Sequence, residues 1–238
     1  MVIDFDKKSH TYTIDDVPVP SVTTVIKATV PTPFTAAAWW GWKLGVEAAW
    51  EAYKPSVLSP EELAELGKAT NFRPDVVRDT AAARGTLIHD AIEQWAKHQK
   101  TIDLNDYVPA LARLIIGFNR WLEKNEPEFI EVEQIVGYKA HGYAGMLDAE
   151  VVFHAGEHQG LRARLDWKSS KRIYPAQHFP QIEAYDCAAR RMTKRDSDIR
   201  GVVHLPESGR IKLHASTYEY ADFYVLLRAY RQMQTHVS

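Results

Sequence analysis

Apolar and charged residues alternate one by one along an eight-residue stretch: Leu161, Arg162, Ala163, Arg164, Leu165, Asp166, Trp167 and Lys168. A repeat of two is the spacing of a half-buried β-strand. Because residues two apart on a strand share a face, Asp166 and Lys168 are predicted to point the same way, with Arg162 and Arg164 beside them. Such a group suits metal-assisted attack on a phosphodiester: the carboxylate holds a hard divalent cation, and the lysine orients or deprotonates water. Alone, however, most Asp-x-Lys tripeptides belong to an exposed strand face with a surface ion pair.

Composition narrows the class of protein. The 238 residues are 45% hydrophobic and 25% charged, as in a globular domain with or without an extension. No apolar run approaches the ~20 residues of a membrane span, and the N-terminus lacks the pattern of a secretory signal. The single cysteine, Cys187, excludes internal disulfides and Cys-based zinc or iron–sulfur sites. These features predict a protein of the reducing cytoplasm.

Charge is unevenly distributed. The net charge of −2 is lower than expected for a protein that coats nucleic acid. Between 161 and 172, however, five Lys/Arg accompany one acid, and five more Lys/Arg lie between 190 and 200. The sequence therefore predicts a local phosphate-binding face on an otherwise neutral to acidic protein.

The N-terminal third is predicted to be a hairpin followed by helices. Strands over 11–14 and 17–19 flank a turn at Asp15-Asp16, and Ser21 is placed to cap a helix over 22–29. Further helices are predicted over 36–53, from 60, over 75–97 and over 105–124. The tryptophans at 39, 40 and 42 are interpreted either as packing between helices or as stacking on single-stranded bases.

After Pro127 the apolar period changes from helix to strand. Strands are predicted over 129–136, 143–153 and 161–168, with the last two forming an antiparallel pair. A helix over 180–192, strands over 201–205 and 210–215, and a helix over 218–233 capped by Thr217 complete the chain. This order predicts an α/β core with a mixed sheet and a helical N-terminal extension.

Five short motifs occur in order on these elements: Gly85-x-x-x-His89, the acid Glu133, Gly145-x-x-Asp148, Asp166-x-Lys168 and Gln181-x-x-x-Tyr185. Together they resemble the RecB-like branch of the PD-(D/E)xK nuclease superfamily. The segment from Tyr12 to Pro20-Ser21-Val22-Thr23 also resembles the start of phage-type and mitochondrial-genome-maintenance-type exonucleases of that branch. The resemblance implies a restriction-endonuclease-like core over 81–238, with residues 1–80 as a hairpin and helical region packed on it.

The same resemblance implies roles for individual residues. Asp148 and Asp166, with the backbone carbonyl of Trp167, would bind one or two Mg²⁺ or Mn²⁺ ions, and Lys168 would activate water. His89 and Glu133 would complete the metal site, although Glu133 is equally interpreted as a strand-edge glutamate beside Glu131. The expected nucleic-acid contacts are Gln181, Tyr185, Arg162, Arg164, Ser169, Ser170 and Lys171.

The expected function is therefore DNA exonuclease activity at free or single-stranded ends, leaving 5′-phosphates. The expected setting is the cytoplasm of a bacterium or phage-infected cell, with DNA and recombination or replication proteins as partners. Neither a helicase phosphate-binding loop nor iron–sulfur cysteines are found. Three alternatives remain open: a structure-specific endonuclease, a catalytically silent nucleic-acid-binding module, and a partner protein whose carboxylates are structural.

Overall fold

The computed structural model describes residues 1–30, 85–96 and 109–235. The chain divides into two compact units, one formed by Met1–Val30 with His89–Ser238 and the other by Pro31–Ile88. The helices predicted over 36–53 and from 60, together with the tryptophans at 39, 40 and 42, lie outside the described residues. The hairpin therefore belongs to the same unit as the strands that follow Pro127.

The N-terminal hairpin is confirmed and gains a third strand. Strands β1 (Ile3–Asp6), β2 (Thr11–Ile14) and β3 (Val17–Val19) form an antiparallel sheet in the order β1-β2-β3. At the predicted turn, Asp15 and Asp16 have φ of 49° and 64°. Two consecutive positive φ angles give a turn whose twist matches that of the flanking strands, and aspartate tolerates this backbone better than most residues.

Helix α1 (Val22–Thr29) follows directly, as predicted. The Ser21 hydroxyl accepts a hydrogen bond of 2.9 Å from the Thr24 N–H, which satisfies one of the donors left free at a helix start. Helix α2 covers 85–96, and α3 is Pro109–Asn125. The predicted apolar stripe of α3 is buried at all five positions: Leu111, Leu114, Ile115, Phe118 and Leu122.

The second sheet is mixed, as predicted. Its strands are β4 (Pro127–Tyr138), β5 (Tyr143–Phe153), β6 (Arg162–Lys168), β7 (Ile199–His204) and β8 (Lys212–Ala215). They lie side by side in chain order. Only the β6–β7 pair among them is parallel, because α4 (Pro175–Thr193) carries the chain back between these two strands.

Two predicted helix starts were wrong. Helix α4 begins at Pro175 and contains Pro180, which had been placed at its start. Pro175 takes the first helical turn, where a missing N–H costs nothing, while Pro180 removes one bond inside the helix. Helix α5 (Tyr220–Thr235) begins two residues late because the Asp222 carboxylate accepts from the Glu219 N–H at 2.8 Å and caps the helix there.

Helices cover both faces of the sheet at β6. Trp167 packs edge-on against Phe118 and Trp121 of α3, with ring centroids 5.9 and 6.0 Å apart. Asp166, its neighbour in the strand, points the other way and meets α4. In the described part of the chain, we find no helix with the length and apolar character needed to cross a membrane.

Candidate functional site

The candidate site lies where β5 and β6 separate. The paired register runs from Val152 and Arg162 to Ala149 and Leu165 and stops there. Beyond it, the Trp167 N–H donates a 2.8 Å hydrogen bond to Asp148 Oδ2 instead of to a carbonyl of the neighbouring strand. The split between the strands therefore brings the Asp148 carboxylate against the backbone that carries Asp166 and Lys168.

Asp166 has a polar partner at each carboxylate oxygen although its side chain is only 1% exposed. The Gln181 Nε2 group donates to Oδ1 at 3.2 Å. The Lys168 Nζ atom lies 2.5 Å from Oδ2, which confirms that the two side chains share a face. At this distance the Lys168 ammonium is the charge-assisted partner of the buried Oδ2 atom.

Gly145 gives α4 its close approach to β5. A Cβ atom at this position would lie 2.5 Å from Tyr185 Cε1, so the tyrosine ring rests on bare backbone. The Tyr185 hydroxyl accepts from the Gln181 Nε2 group at 3.1 Å. The Tyr185 ring therefore packs on Gly145, and its hydroxyl holds Gln181, which in turn donates to the Asp166 carboxylate.

His89 of α2 lies at the outer side of this group, with its Nδ1 3.8 Å from Asp148 Oδ2. Side-chain exposure rises from 1% at Asp166 through 16% at Asp148 and 22% at Lys168 to 33% at His89. Within this cluster of four polar side chains, the carboxylates are therefore the more buried members, and the cluster is exposed to solvent at His89.

Burial and the neighbouring Asp166 charge raise the pKa of Asp148 to about 6, against the opposing effects of His89, Lys168 and the Trp167 N–H. Burial alone would lower the pKa of Lys168, but the Asp166 and Asp148 charges outweigh it and raise that pKa above its ordinary value. Lys168 is therefore an ammonium in this structure. It suits orienting water and stabilising negative charge better than removing a proton.

The donor set fits a hard divalent cation. Two carboxylates share one ammonium, so negative charge is in excess around the buried oxygen atoms of Asp166 and Asp148. A cation between Asp148 and Asp166 would relieve their repulsion, and carboxylate oxygens suit Mg²⁺ or Mn²⁺. Within the described ranges, no three His, Cys, Asp or Glu side chains form a ready-made metal cluster. The fit is thus to an ion held by two carboxylates, backbone oxygen and water.

Glu133 lies beside Asp148 along the sheet. Its neighbours Val132 and Gln134 pair with Ala149 and Leu147, so its backbone is adjacent to that of Asp148. Glu133 itself has φ of 50°, a conformation that is unusual for glutamate in a strand. Its predicted role in the site stays a prediction.

Arg164 is corrected as a nucleic-acid contact. Its side chain is completely buried, with its guanidinium bound to Glu150 Oε2 at 3.0 Å and to Asp186 Oδ1 at 2.6 Å. Arg162 binds the same glutamate at 2.7 Å and stays 30% exposed. A buried guanidinium cannot reach a phosphate, so Arg164 stabilises the fold.

Gln181 and Tyr185 are also buried, and their observed contacts are with Asp166 and with each other. The structure therefore gives them a supporting position instead of a surface where a strand of DNA would lie. Ser169, Ser170 and Lys171 follow β6 in a partly exposed loop directly after Lys168. Their contact with nucleic acid stays a prediction.

His178 was missed by the sequence analysis. It lies on α4 three residues before Gln181, on the same side of the helix, and is buried. Burial and then the Lys168 charge lower its pKa to about 4, so the ring is neutral next to the site. The wrong helix start at Pro180 left this residue in a loop, which removed the spacing that would have identified it.

Comparisons with known proteins add no identification, because neither the family models nor the curated proteins searched give a match to this chain.

Proposed function

We propose that this chain is a Mg²⁺- or Mn²⁺-dependent deoxyribonuclease, an exonuclease that acts at free or single-stranded ends and leaves 5′-phosphates. The mixed sheet with α4 would be the core of a restriction-endonuclease-like fold. One observation carries the proposal: Asp148 and the buried Asp166 converge on the single ammonium of Lys168, so that two carboxylates share one lysine.

The chemistry divides between the ion and the side chains. Asp148, Asp166 and the Trp167 carbonyl would hold the ion, with His89 next to Asp148. When bound, the ion would supply Lewis-acid stabilisation of the phosphodiester and lower the pKa of attacking water. Lys168 would orient that water and stabilise the negative charge that develops on the phosphate oxygens.

The remaining residues would keep the carboxylates in place. Gln181 fixes one oxygen of Asp166, and Tyr185 fixes Gln181 against Gly145. The Trp167 N–H fixes Asp148. Such locking is needed because catalytic ligands misplaced by about 1 Å lose much of their effect.

The direct test is a time course on end-labelled single- and double-stranded DNA with Mg²⁺, Mn²⁺ or EDTA. Metal-dependent shortening from an end, with 5′-phosphate products, is expected for the native chain. The Asp166→Asn variant should be inactive, and Glu128→Gln, which alters an exposed carboxylate of β4, should cut at the native rate. Equal cleavage by the native and Asp166→Asn chains would identify a contaminating nuclease and remove the proposal.

A circular single strand separates the two nuclease alternatives. An enzyme that needs an end leaves the circle intact and degrades the same molecule after linearisation. Cleavage of the intact circle at branched or folded positions would favour the structure-specific endonuclease. Saturable DNA binding without any metal-dependent product would instead favour the silent binding module.

A further inference from the structure

A cavity of about 490 Å³ lies on the α3 side of the sheet, away from the carboxylates. It is lined by the second half of α3, the end of β5, the β5–β6 turn and the segment from Gly209 to Leu213. Phe153 in its lining is five residues from Asp148 along β5, about 16 Å of strand. Trp121, also in the lining, packs on Trp167, whose side chain points away from the Asp166 side. The cavity is therefore separate from the candidate site.

Cations converge on this cavity from two elements. Arg120 and Lys124 are four residues apart on α3 and so share a side of the helix, while Arg210 and Lys212 line the cavity from the segment between β7 and β8. Among the described residues of the lining, Glu157 is the one carboxylate. No ion-pair partner is found for these four cations among the described residues. The local charge is thus strongly positive on a chain whose net charge is −2.

The two walls are held together by backbone contact. A Cβ atom on Gly117 would lie 2.0 Å from the Gly209 carbonyl oxygen, and one on Gly209 would lie 2.3 Å from the Arg113 carbonyl oxygen. Gly209 also has φ of 71°, which favours glycine. Both glycines therefore let this segment touch the backbone of α3, and Arg210 follows directly from that contact.

We propose that this cavity binds a phosphate-bearing ligand, with Arg120, Lys124, Arg210 and Lys212 contacting the phosphate oxygens. The volume is that of a small-ligand pocket, and Trp121 and Phe153 give it an apolar floor. Guanidinium and ammonium groups without protein partners are the usual donors to phosphate. The phosphate would come either from a nucleotide or from the end of a nucleic-acid strand.

The test is calorimetric titration of the full chain with pyrophosphate at constant ionic strength. Saturable binding to one site is expected for the native chain. The double variant Lys124→Gln/Arg210→Gln should bind pyrophosphate about tenfold or more weakly, because two charge-assisted contacts are lost. The matched control is Arg228→Gln, which removes an exposed cation from α5 and should bind like the native chain. The same weak, unsaturable heat for all three chains would overturn the proposal.

A second variant changes affinity in the opposite direction. Glu157→Gln removes the carboxylate that opposes an anion, so pyrophosphate should bind several-fold more tightly. Unchanged or weaker binding would contradict the assigned position of the phosphate. Asp166→Asn should bind pyrophosphate like the native chain, so this test does not depend on whether the chain cuts DNA.

Competition then distinguishes the source of the phosphate. With EDTA present, a nucleoside diphosphate and a short single strand with a 5′-phosphate are each titrated against bound pyrophosphate. Displacement by the nucleotide alone identifies a small-molecule site, and displacement by the 5′-phosphorylated strand but not its 5′-hydroxyl form identifies a strand-end site. Displacement by neither would overturn the assignment to a nucleotide or strand-end phosphate.

Discussion

Two clusters of charged side chains lie next to each other on β5 and β6, two residues apart along each strand. They differ in how completely their charges are balanced. Glu150 is completely buried, yet it faces Arg164 in register, and Arg164 also binds Asp186. Asp148 lies two residues before Glu150, and Asp166 lies two residues after Arg164. These two carboxylates share the single ammonium of Lys168. The same two strands therefore carry a satisfied ionic network and an unsatisfied one.

Under the proposed function, the difference separates charges that stabilise the fold from charges that bind a ligand. A buried ion pair keeps its place when every donor and acceptor has a partner. Burial and, after it, the neighbouring Asp166 charge raise the pKa of Asp148, so keeping both carboxylates ionised costs free energy. The unbalanced pair is the one that a divalent cation would complete.

The largest expected effect is on catalysis. Under the proposed nuclease function, Asp166→Asn and Lys168→Gln should each lower the cleavage rate about 10⁴-fold or more, roughly 5 kcal/mol of transition-state stabilisation. Single-turnover cleavage of end-labelled DNA with Mg²⁺ measures this loss, with Glu128→Gln as control. A decrease below about tenfold for both variants would mean that this group is not the catalytic site.

The second effect is on stability and tests the satisfied network. Arg164→Met should lower the free energy of unfolding by about 3–5 kcal/mol, because Glu150 and Asp186 lose a buried partner. Urea denaturation measures the change, with Arg228→Met on the surface of α5 as the matched control. If Arg164→Met were as stable as the control, the network would contribute little and the contrast between the two groups would disappear.

The strands and the antiparallel pairing of β5 with β6 could be predicted from the sequence because the information is local. Alternation between Leu161 and Lys168 identified β6, and the aspartates at 15 and 16 and the serine at 21 identified a turn and a helix start. Each depends on residues only a few positions apart. The shared face of Asp166 and Lys168 follows from the same period of two.

The partners of the charges could not be predicted, because they come from distant parts of the chain. The arginines between 161 and 200 suggested a phosphate-binding face, yet Arg164 is buried and Arg200 binds Glu183 at 3.0 Å. Arg195 lies 3.4 Å from Glu150. Composition shows that cations are concentrated, but only the fold shows which carboxylates neutralise them. The cations of the α3 cavity are far apart in sequence and formed no visible cluster.

A smaller effect is expected from metal binding itself. Mn²⁺ at about 100 times its dissociation constant should stabilise the native chain by about 2.7 kcal/mol, seen as a higher melting temperature. The gain should be lost in Asp166→Asn and kept in Glu128→Gln. Equal gains in Asp166→Asn and the native chain would locate the ion elsewhere and leave the carboxylates without a ligand.

The smallest effect is a pH dependence confined to the unsatisfied group. Because the pKa of Asp148 is raised from 3.8 to about 6, the folded chain binds more protons than the unfolded chain between these values. Stability therefore falls as pH rises through that window, and Asp148→Asn should remove the loss. At pH 7–8 without metal, we expect Asp148→Asn to be more stable than the native chain by about 1–2 kcal/mol.

The effect of Asp148 on stability must be measured as a difference between the variant and the native chain, because His178 changes stability with pH in the opposite direction. Its pKa is lowered to about 4, so the unfolded chain binds more protons between pH 4 and 6.5 and stability rises with pH there. The two effects partly cancel in the native profile but not in the difference between the two chains. Urea denaturation measures the difference in the free energy of unfolding between Asp148→Asn and the native chain. If that difference did not change between pH 4 and 7, the Asp148 carboxylate would carry no unbalanced charge, and the distinction between the two groups would fail.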